Sequence, residues 1–334
     1  MAGVTRAAVT NWKARFKDFP KPVADLGAGP VFRRDQIMSW LKRRRSEMTT
    51  GIAFINLKGG VAKSTSTVAT AQMLDSEFRK RVLVIDLDPQ TNSTMMLIGD
   101  KKWREVNDKQ LTVAQLFRDA LEQKKSFDIK KAIIKRVGGV NDVQRVDLLP
   151  SSLDLIEVQD DLGSMNPGRF HASNPVDVLR RAIRPILDDG TYDFILVDCP
   201  PSLGLVTLNG LRISDYFVIP TIPDFLSTYG IPQIISRVKE FADTVGHRVE
   251  PLGILATKYR AQSSVHNDQL RVMKQKMDAP MFSTVIPENN DIAGAAEFKD
   301  VSTLRQKWGY RGQFDIYRAF TKELLEKVEV PVTS

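Results

Sequence analysis

The sequence has little or none of several features on which whole classes of protein depend. Its 334 residues include one cysteine, Cys199, and three histidines. A lone cysteine excludes internal disulfides and cysteine-cluster metal sites, and it is typical of a reducing, cytoplasmic compartment. No apolar run approaches the ~20 residues of a membrane-spanning helix. These absences predict a globular, cytoplasmic protein with no membrane partner.

Positive charge is concentrated at one end of the chain. The net charge is +8, and residues 1–48 contribute eleven Lys and Arg against four Asp and Glu. The first 48 residues therefore carry about +7, and the rest of the chain is nearly neutral. Such an asymmetry predicts a basic arm that contacts nucleic acid. A tail that merely improves solubility is the alternative.

The most informative stretch combines an apolar strand, a glycine loop and the start of a helix, G-I-A-F-I-N-L-K-G-G-V-A-K-S-T-S-T from Gly51 to Thr67. Glycines let backbone N–H groups close around phosphate oxygens, and a helix N-terminus adds a favourable dipole. Lys63 is placed to reach the β- and γ-phosphates, and the Ser64 hydroxyl is placed to bind Mg²⁺. The stretch therefore predicts a P-loop. A chance glycine-rich turn is the alternative.

The loop departs from the generic P-loop pattern, which has glycine where this chain has Leu57 and Ala62. What remains, K-G-G-x-x-K-[ST] with the additional Lys58, resembles the deviant Walker A motif of the ParA/MinD superfamily. The resemblance implies that Lys58 crosses a sandwich dimer to the other subunit's nucleotide. The nucleotide-binding residues that it implies are Lys58, Gly59, Gly60, Val61, Ala62, Lys63, Ser64 and Thr65. Because Ala62 has a Cβ atom, we expect its φ angle to be negative.

A second signature lies at the end of an aliphatic run, V-L-V-I-D-L-D-P-Q from Val82 to Gln90. A continuous aliphatic run is typical of a buried parallel strand, and sites form at the carboxyl ends of such strands. The segment resembles the V-L-V-I-D-x-D-P-Q signature of ParA/Soj proteins. By that resemblance Asp86 helps to order Mg²⁺ water, and Asp88 orients or deprotonates the attacking water. Two acids that cap a strand turn are the alternative.

The third signature is Y-D-F-I-L-V-D-C-P-P from Tyr192 to Pro201, which resembles Y-D-x-I-x-[VI]-D-x-P-P of the same family. An apolar strand delivers Asp198 at its end, where the family has the carboxylate that holds the Mg²⁺ hydration shell. The metal-binding residues implied are Ser64, Asp86 and Asp198. The catalytic residues implied are Lys58, Lys63 and Asp88.

Strand-like and helix-like segments alternate through the rest of the chain, for example a strand over Tyr216 to Pro220 and a helix over Tyr229 to Thr244. This alternation predicts a P-loop NTPase-like α/β fold, a doubly wound and mostly parallel sheet with helices on both faces. A small N-terminal helical DNA-binding module is expected over residues 1–48, and the ATPase domain over residues 49–334. In related ATPases the loop after the last strand borders the adenine, which assigns Pro287 and Glu288 to the nucleotide site.

The N-terminal segment resembles a winged helix-turn-helix of the MerR/excisionase type. The likeness is carried by V-T-R-A-A-V-T-N-W from Val4 to Trp12, followed by a Pro/Gly segment that would form the wing. The DNA-binding residues implied are Thr10, Asn11, Lys13, Arg15, Arg33 and Arg34. A first helix precedes the turn in that type, and this chain begins almost at the turn, so we expect a truncated or degenerate module. A helical pair that serves a dimer interface is the alternative.

Together the three signatures resemble ParA/Soj partition ATPases over roughly Gly51 to Val330. The resemblance implies an Mg²⁺-dependent ATP hydrolase with a weak intrinsic rate, used for plasmid or chromosome segregation. ATP would join two subunits into a homodimer that binds non-specific DNA on the nucleoid, and a ParB-like adaptor would stimulate hydrolysis and release the DNA. Two alternatives stay open: an ATP-controlled transcriptional autorepressor, and a system that positions a protein cargo on the nucleoid.

Overall fold

The computed structural model describes residues 13, 18–26, 29–37, 40, 49–164, 174–188, 190–276 and 279–329. These residues form two separate sheets, a two-stranded sheet near the N-terminus and a seven-stranded sheet that organises the rest. Three of the predicted DNA-binding residues, Thr10, Asn11 and Arg15, lie outside the described residues. The fourth on that segment, Lys13, is helical and exposed.

The small sheet is a hairpin of β1 (Ala24–Leu26) and β2 (Gly29–Val31), which pair antiparallel. It lies where the sequence predicts a wing. Phe19 packs edge to face against two other rings, with centroid distances of 5.4 Å to Phe32 and 4.9 Å to Trp40. These rings give the segment a small hydrophobic centre. They do not by themselves define a DNA-binding module, which stays a prediction.

The large sheet has seven strands in the order β5-β4-β6-β3-β7-β8-β9, and every neighbouring pair is parallel. The prediction of a mostly parallel sheet is therefore confirmed. The strands are β3 (Thr50–Phe54), β4 (Val82–Asp86), β5 (Val146–Leu149), β6 (Phe194–Asp198), β7 (Tyr216–Thr221), β8 (Glu250–Tyr259) and β9 (Met281–Pro287).

The helices that follow and connect these strands lie on both faces of the sheet. They are α1 (Lys63–Ser76), α2 (Asn92–Asp108), α3 (Val113–Glu122), α4 (Ile129–Ala132), α5 (Leu155–Ser164), α6 (Val178–Asp188), α7 (Leu205–Leu211), α8 (Phe225–Val245), α9 (Ser264–Lys276), α10 (Asn290–Gly294), α11 (Leu304–Trp308) and α12 (Gln313–Glu329). A 3-10 turn (Pro175–Asp177) leads into α6. Among the described helices, none has the length and apolarity that a bilayer span needs.

Alternate side chains of β3 and of Ile55, the residue directly after it, enter two different hydrophobic cores. Ile52 and Phe54 belong to a core that α1, α2 and α12 complete, whereas Ala53 and Ile55 belong to one that α3, α6 and α8 complete. Successive strand residues point to opposite faces of a sheet, so a strand covered on both sides must be apolar at every position. This explains why the strands appear in the sequence as continuous aliphatic runs.

The strand register determines where the polar strand ends meet. Strand β6 lies between β3 and β4, so that Asp198 pairs with Phe54 on one side and with Asp86 on the other. Parallel strands place all their carboxyl ends at one edge of the sheet. The loop after β3 and the two acids are therefore brought together by the fold itself.

The helix expected from Tyr229 begins four residues earlier, at Phe225. Asp224 occupies its N-cap position, where the side chain accepts a hydrogen bond of 2.7 Å from the backbone N–H of Ser227. An aspartate at this position is a strong helix start. The first turn carries exposed apolar side chains, which break the amphipathic pattern from which a helix is predicted.

Candidate active site

The loop after β3 has an open, partly left-handed backbone. A Cβ atom added at Gly59 or Gly60 would meet nothing within 4 Å, and Gly60 has a φ angle of 74°. Ala62, the N-cap residue of α1, has a φ angle of 62°. The expected negative φ at Ala62 is therefore wrong. An L-residue in this region costs about 1–2 kcal/mol, so the surrounding contacts must hold the loop in place.

Lys63 is the buried cation of the site. Its side chain is 6% exposed, and its Nζ donates a hydrogen bond of 3.2 Å to the carbonyl oxygen of Lys58. Burial lowers the pKa of Lys63, and the negative charges of Asp198 and Asp88 act in the opposite direction. The ammonium group therefore lies beside acids that keep it charged.

Asp86 is fully buried and held by three donors. Its Oδ1 accepts from the backbone N–H of Asp88 at 3.0 Å, while its Oδ2 accepts from the backbone N–H and hydroxyl of Thr94 at 2.8 and 2.7 Å. Burial raises the pKa of Asp86 well above its ordinary value, and the neighbouring Asp198 raises it further. The two acids are thus close enough to oppose each other's ionisation.

Asp198 has an unsatisfied oxygen. The side chain is completely buried, and its Oδ2 accepts a hydrogen bond of 2.7 Å from the Ser93 hydroxyl. Its Oδ1 accepts no hydrogen bond of normal geometry from the part of the chain that the structure describes. Burial raises the pKa of Asp198 to about 6, although the Ser64 and Ser93 hydroxyls lower it. A buried carboxylate oxygen without a donor of normal geometry is uncommon, and this one, beside the Ser64 hydroxyl, is available to a cation.

Asp88 follows β4 and is 5% exposed. Its Oδ1 accepts a hydrogen bond of 2.9 Å from the backbone N–H of Gln90, which fixes the orientation of the carboxylate. Burial raises the pKa of Asp88, and Lys63 lowers it. The group is therefore a carboxylate with enhanced basicity at the edge of the site.

The donor set fits a hydrated magnesium ion. Mg²⁺ binds hard oxygen ligands, and it usually takes one or two carboxylates and completes its shell with phosphate oxygens and water. Among the described residues, no three acidic, histidine or cysteine side chains form a complete metal cage. The open Oδ1 of Asp198 beside Asp86 and Ser64 offers the partial shell that a nucleotide-bound ion needs.

Lys58 points away from the loop and toward the start of α8. Its Nζ donates to Asp224 Oδ2 at 2.8 Å and to Ser227 Oγ at 2.9 Å. The side-chain carbonyl of Asn56 accepts the backbone N–H of Lys58 at 2.9 Å, and its amide group donates to the Pro220 carbonyl at 2.8 Å. Asn56 thereby attaches the beginning of the loop to β7.

The remaining predicted residues lie further from the buried charges. Pro287 ends β9, which β7 and β8 separate from β3, and the exposed Glu288 forms an ion pair with Arg260. Arg33 and Arg34 are exposed after the hairpin, and the Arg33 side chain lies 3.9 Å from Asp35. Contacts of these residues with adenine or DNA stay predictions.

Five residues that no signature assigns contribute to the site: Ser93, Thr94, Asn56, Asp224 and Ser227. The hydroxyls of Ser93 and Thr94 belong to the T-N-S-T segment directly after D-P-Q. The sequence signal that could have identified Ser93 and Thr94 is the presence of hydroxyl residues where a helix starts directly after a strand end. Asp224 and Ser227 lie 166 and 169 positions from Lys58, so no local pattern points to their contact with it.

A glycine loop, a buried lysine and acidic strand ends at one edge of a parallel sheet define a P-loop nucleotide-binding protein. A family model described as an AAA domain matches residues 49–250. Soj of Bacillus subtilis, a sporulation initiation inhibitor protein, is 30% identical over 71% of this chain and 84% of its own length. The chromosome-partitioning ATPase Soj of Thermus thermophilus is 30% identical over 83% of this chain and 96% of its own length.

The fold agrees with these relatives. Cobyrinic acid a,c-diamide synthase from Mycobacterium smegmatis, solved with an ATP analogue and magnesium, superposes with a TM-score of 0.64. It is 25% identical and covers 84% of this chain and 96% of its own. The present chain belongs to this AAA domain family, as an ATPase of the ParA/MinD type.

Proposed function

We propose that the protein is a ParA-type ATPase that serves plasmid or chromosome segregation. The observation that carries the proposal is the convergence of Lys63 with two buried acids, Asp86 and Asp198, at one edge of the sheet. The open Oδ1 of Asp198 supports a site that a hydrated cation completes. The Soj relatives and the ATP analogue and magnesium of the mycobacterial structure support ATP and Mg²⁺ as cofactors.

The nucleotide would lie against the loop and the start of α1. The backbone N–H groups of the loop and the ammonium group of Lys63 would hold the phosphates. The proposed nucleotide-binding set is Lys58, Gly59, Gly60, Val61, Ala62, Lys63, Ser64 and Thr65, with Pro287 and Glu288 beside the adenine. Ser64, Asp86 and Asp198 would hold Mg²⁺, which neutralises phosphate charge when it is bound.

Asp88 would orient the attacking water and accept its proton. A general base works best when its pKa lies near the operating pH, and burial shifts the pKa of Asp88 upward, in that direction. The hydrogen bond from Gln90 leaves the carboxylate in a fixed orientation. Intrinsic turnover would be slow, because a cation supplied by a second subunit can contribute ~10³–10⁵ in rate to phosphoryl transfer.

ATP would join two subunits into a homodimer in which each Lys58 crosses to the other nucleotide. The dimer would bind DNA non-specifically through phosphate contacts, which makes binding sensitive to salt. A ParB-like adaptor would stimulate hydrolysis and thereby release the DNA. The protein would accordingly be cytoplasmic and associated with the nucleoid.

The N-terminal 48 residues would form a separate DNA-binding module. Thr49 already belongs to the ATPase domain, because its hydroxyl donates to the Tyr192 carbonyl at 2.8 Å, which supports a boundary between residues 48 and 49. The DNA-binding residues proposed are Thr10, Asn11, Lys13, Arg15, Arg33 and Arg34. The β1–β2 hairpin and the positive charge of this segment favour a second candidate function, that of an ATP-controlled autorepressor.

Sedimentation and DNA binding of the purified protein test the principal function. With saturating ATP and magnesium we expect a dimer that binds DNA of arbitrary sequence and loses affinity steeply as salt is raised. The Lys63→Met variant should stay monomeric and bind little DNA. A wild-type protein that remains monomeric and indifferent to DNA under these conditions would contradict the proposal.

A deletion of residues 1–48 separates the two candidate functions. The shortened chain should retain ATP hydrolysis and non-specific DNA binding, but it should lose specific binding to an operator sequence. If non-specific binding disappears as well, the N-terminal segment is the main DNA surface. Retention of one specific operator by the Lys63→Met variant of the full chain would favour the autorepressor.

A further inference from the structure

Ser151 lies just beyond the carboxyl end of β5, the strand that pairs with β4 on the side away from β6. Leu149, the last residue of β5, pairs with Ile85 of β4, and Ser151 follows two residues later. The serine side chain is completely buried. Its position beside the end of β4 brings it to the edge of the sheet at which Asp86 and Asp88 lie.

The three polar groups of Ser151 all form hydrogen bonds with other segments of the chain. Its hydroxyl donates to the backbone carbonyl of Asp88 at 2.8 Å. Its backbone N–H donates to Thr94 Oγ1 at 3.0 Å, and its own carbonyl accepts a hydrogen bond of 3.2 Å from Trp103 Nε1. A buried residue whose polar groups are all satisfied is rigidly held.

Two of these bonds belong to a closed ring that includes both acids of β4. The Thr94 hydroxyl donates to Asp86 Oδ2 at 2.7 Å, and the backbone N–H of Asp88 donates to Asp86 Oδ1 at 3.0 Å. With the two bonds that Ser151 donates, these contacts close a ring of four residues. Each of the four is at most 5% exposed. A polar group that leaves such a buried network loses its partner without gaining water, so the ring favours one arrangement.

We propose that Ser151 is a positioning residue for ATP hydrolysis, which holds the backbone of Asp88 so that its carboxylate faces the attacking water. The proposal rests on the proposed function, in which Asp88 orients and deprotonates that water. It adds the end of β5 to the two strand ends that supply the acids. Ser151 acts through Asp88 and would not itself contact the nucleotide.

The turn that carries Asp88 is held by contacts of two kinds. The backbone N–H of Gln90 donates to Asp88 Oδ1, and the backbone N–H of Thr91 donates to the Asp88 carbonyl, both at 2.9 Å. These donors lie in the same turn, so they fix its shape and move with it. The Ser151 hydroxyl, 63 positions from Asp88, attaches the turn to the end of β5. Without this bond the turn would keep its shape but would be held less firmly in the site.

The substitution Ser151→Ala tests the proposal, because alanine removes the hydroxyl and retains both backbone bonds. We expect kcat for ATP hydrolysis to fall about tenfold, since a shift of about 1 Å in a catalytic group can cost about 10²-fold and the lost bond permits a smaller one. KM for ATP should change less than about twofold, because the phosphate-binding loop is intact. A merely structural residue would lower the urea midpoint of unfolding without this split between kcat and KM.

The matched control is Ser152→Ala. Ser152 is the next residue and is also completely buried, and its Oγ accepts a hydrogen bond of 3.1 Å from the backbone N–H of Asp154. This substitution removes the same group from the same loop, but at a bond that leads toward α5. Hydrolysis should therefore proceed as in the wild type. Equal kcat values of Ser151→Ala and Ser152→Ala would overturn the proposal.

A double substitution distinguishes an effect through Asp88 from a general effect on the fold. If Ser151 acts through the Asp88 carboxylate, Ser151→Ala should change the rate less than about twofold once Asp88→Asn is present, because the effects of coupled groups do not add. Single-turnover hydrolysis of labelled ATP by excess protein measures these slow rates. An equal reduction by Ser151→Ala in both backgrounds would show that the serine does not act through Asp88, and would overturn the proposal.

The proposed function and this proposal fail in different ways. If Asp88→Asn hydrolyses ATP as fast as the wild type, Asp88 is not the base, and its positioning by Ser151 has no catalytic meaning. If Asp88→Asn is impaired while Ser151→Ala has the kcat of the wild type, the role of Asp88 stands and only the positioning role of Ser151 is wrong. A loss of kcat in Ser151→Ala that disappears in the Asp88→Asn background supports both.

Discussion

Two buried lysines in the described chain have opposite surroundings. Lys63 is 6% exposed and lies beside Asp198 and Asp88, whereas Lys307 is 7% exposed and its Nζ contacts backbone carbonyls. Burial lowers the pKa of both. For Lys63 the two acids oppose that effect, while for Lys307 burial acts alone and lowers the pKa to about 8. Burial by itself therefore does not identify a functional lysine.

The surroundings of Lys307 are those of a structural cap. Helix α2 is interrupted at Gly99, which has a φ angle of 70° and a ψ angle of 168°. The Nζ of Lys307 donates to the Met96 carbonyl at 3.2 Å and to the Gly138 carbonyl at 3.4 Å. A cation satisfies the carbonyls at the end of a helical segment. Lys307 thus joins α11 to the break in α2, whereas Lys63 faces the open oxygen of a ligand site.

The same substitution at both lysines should give the largest expected difference, which is a difference in ATP affinity. We expect Lys63→Met to weaken ATP binding about 100-fold or more, because a charge-assisted hydrogen bond contributes about 1.5–3 kcal/mol and Lys63 would make more than one. Lys307→Met should bind ATP normally. Calorimetric titration of the two variants measures this difference. Equal losses in both would mean that Lys63 has no special part in binding.

Asp88→Asn should affect catalysis and leave binding intact. The amide keeps the shape of the side chain but cannot accept a proton, so we expect hydrolysis to fall about 10²–10⁴-fold, the usual contribution of a general base. ATP-bound dimers should then accumulate on DNA. Phosphate release and sedimentation measure the two effects, with Lys307→Met as the control that retains turnover. Normal hydrolysis in Asp88→Asn would remove the role assigned to Asp88.

The stability of the protein should depend on pH through Lys307. Below about pH 8 its amine is protonated in both folded and unfolded chains. Between about pH 8 and its ordinary value of 10.5, the folded chain has lost a proton that the unfolded chain still holds. The free energy of unfolding therefore rises with pH in this window, by about 3 kcal/mol in total.

Urea denaturation of the wild type and of Lys307→Met isolates this contribution when it is measured at about pH 7.5, 8.5 and 9.5, from just below the window into it. Other groups titrate identically in both proteins, so the difference between the two free energies should change with pH. A constant difference would show that the Lys307 amine titrates in its ordinary range.

The acidic strand ends were predictable because each is marked by a local sequence pattern, an aliphatic run that ends in an acid. The aliphatic runs of β4 and β6 each end in an aspartate, and parallel strands align their carboxyl ends, which brings Asp86 and Asp198 side by side. The particular hydrogen bonds between distant residues of the site were not predictable, although the T-N-S-T segment after D-P-Q marked the hydroxyl residues that take part. Ser93 bonds to Asp198 over 105 positions and Lys58 to Asp224 over 166, and such contacts depend on the packed fold and not on any periodic pattern.

The clearest wrong prediction concerned the backbone conformation of the loop at Ala62. The expectation of a negative φ at Ala62 considered the local cost of a Cβ atom alone. In the structure Thr257 donates to the Val61 carbonyl at 3.0 Å, and the peptide before Ala62 is thereby attached to β8. A tertiary contact of this kind can hold a residue in a costly conformation. Nothing in the sequence around position 62 indicates the contact with Thr257.

Ala62→Gly should produce the smallest effect, a gain in stability. Glycine has no penalty at a φ angle of 62°, and its greater freedom in the unfolded chain offsets part of the gain, so we expect about 0.5–1 kcal/mol. The opposite change, Gly60→Ala, introduces a Cβ atom at a φ angle of 74° with no steric clash and should cost about 1 kcal/mol. Urea denaturation without nucleotide measures both. If Ala62→Gly is no more stable than the wild type, the loop stores no strain at this residue, and the left-handed conformation costs the fold nothing.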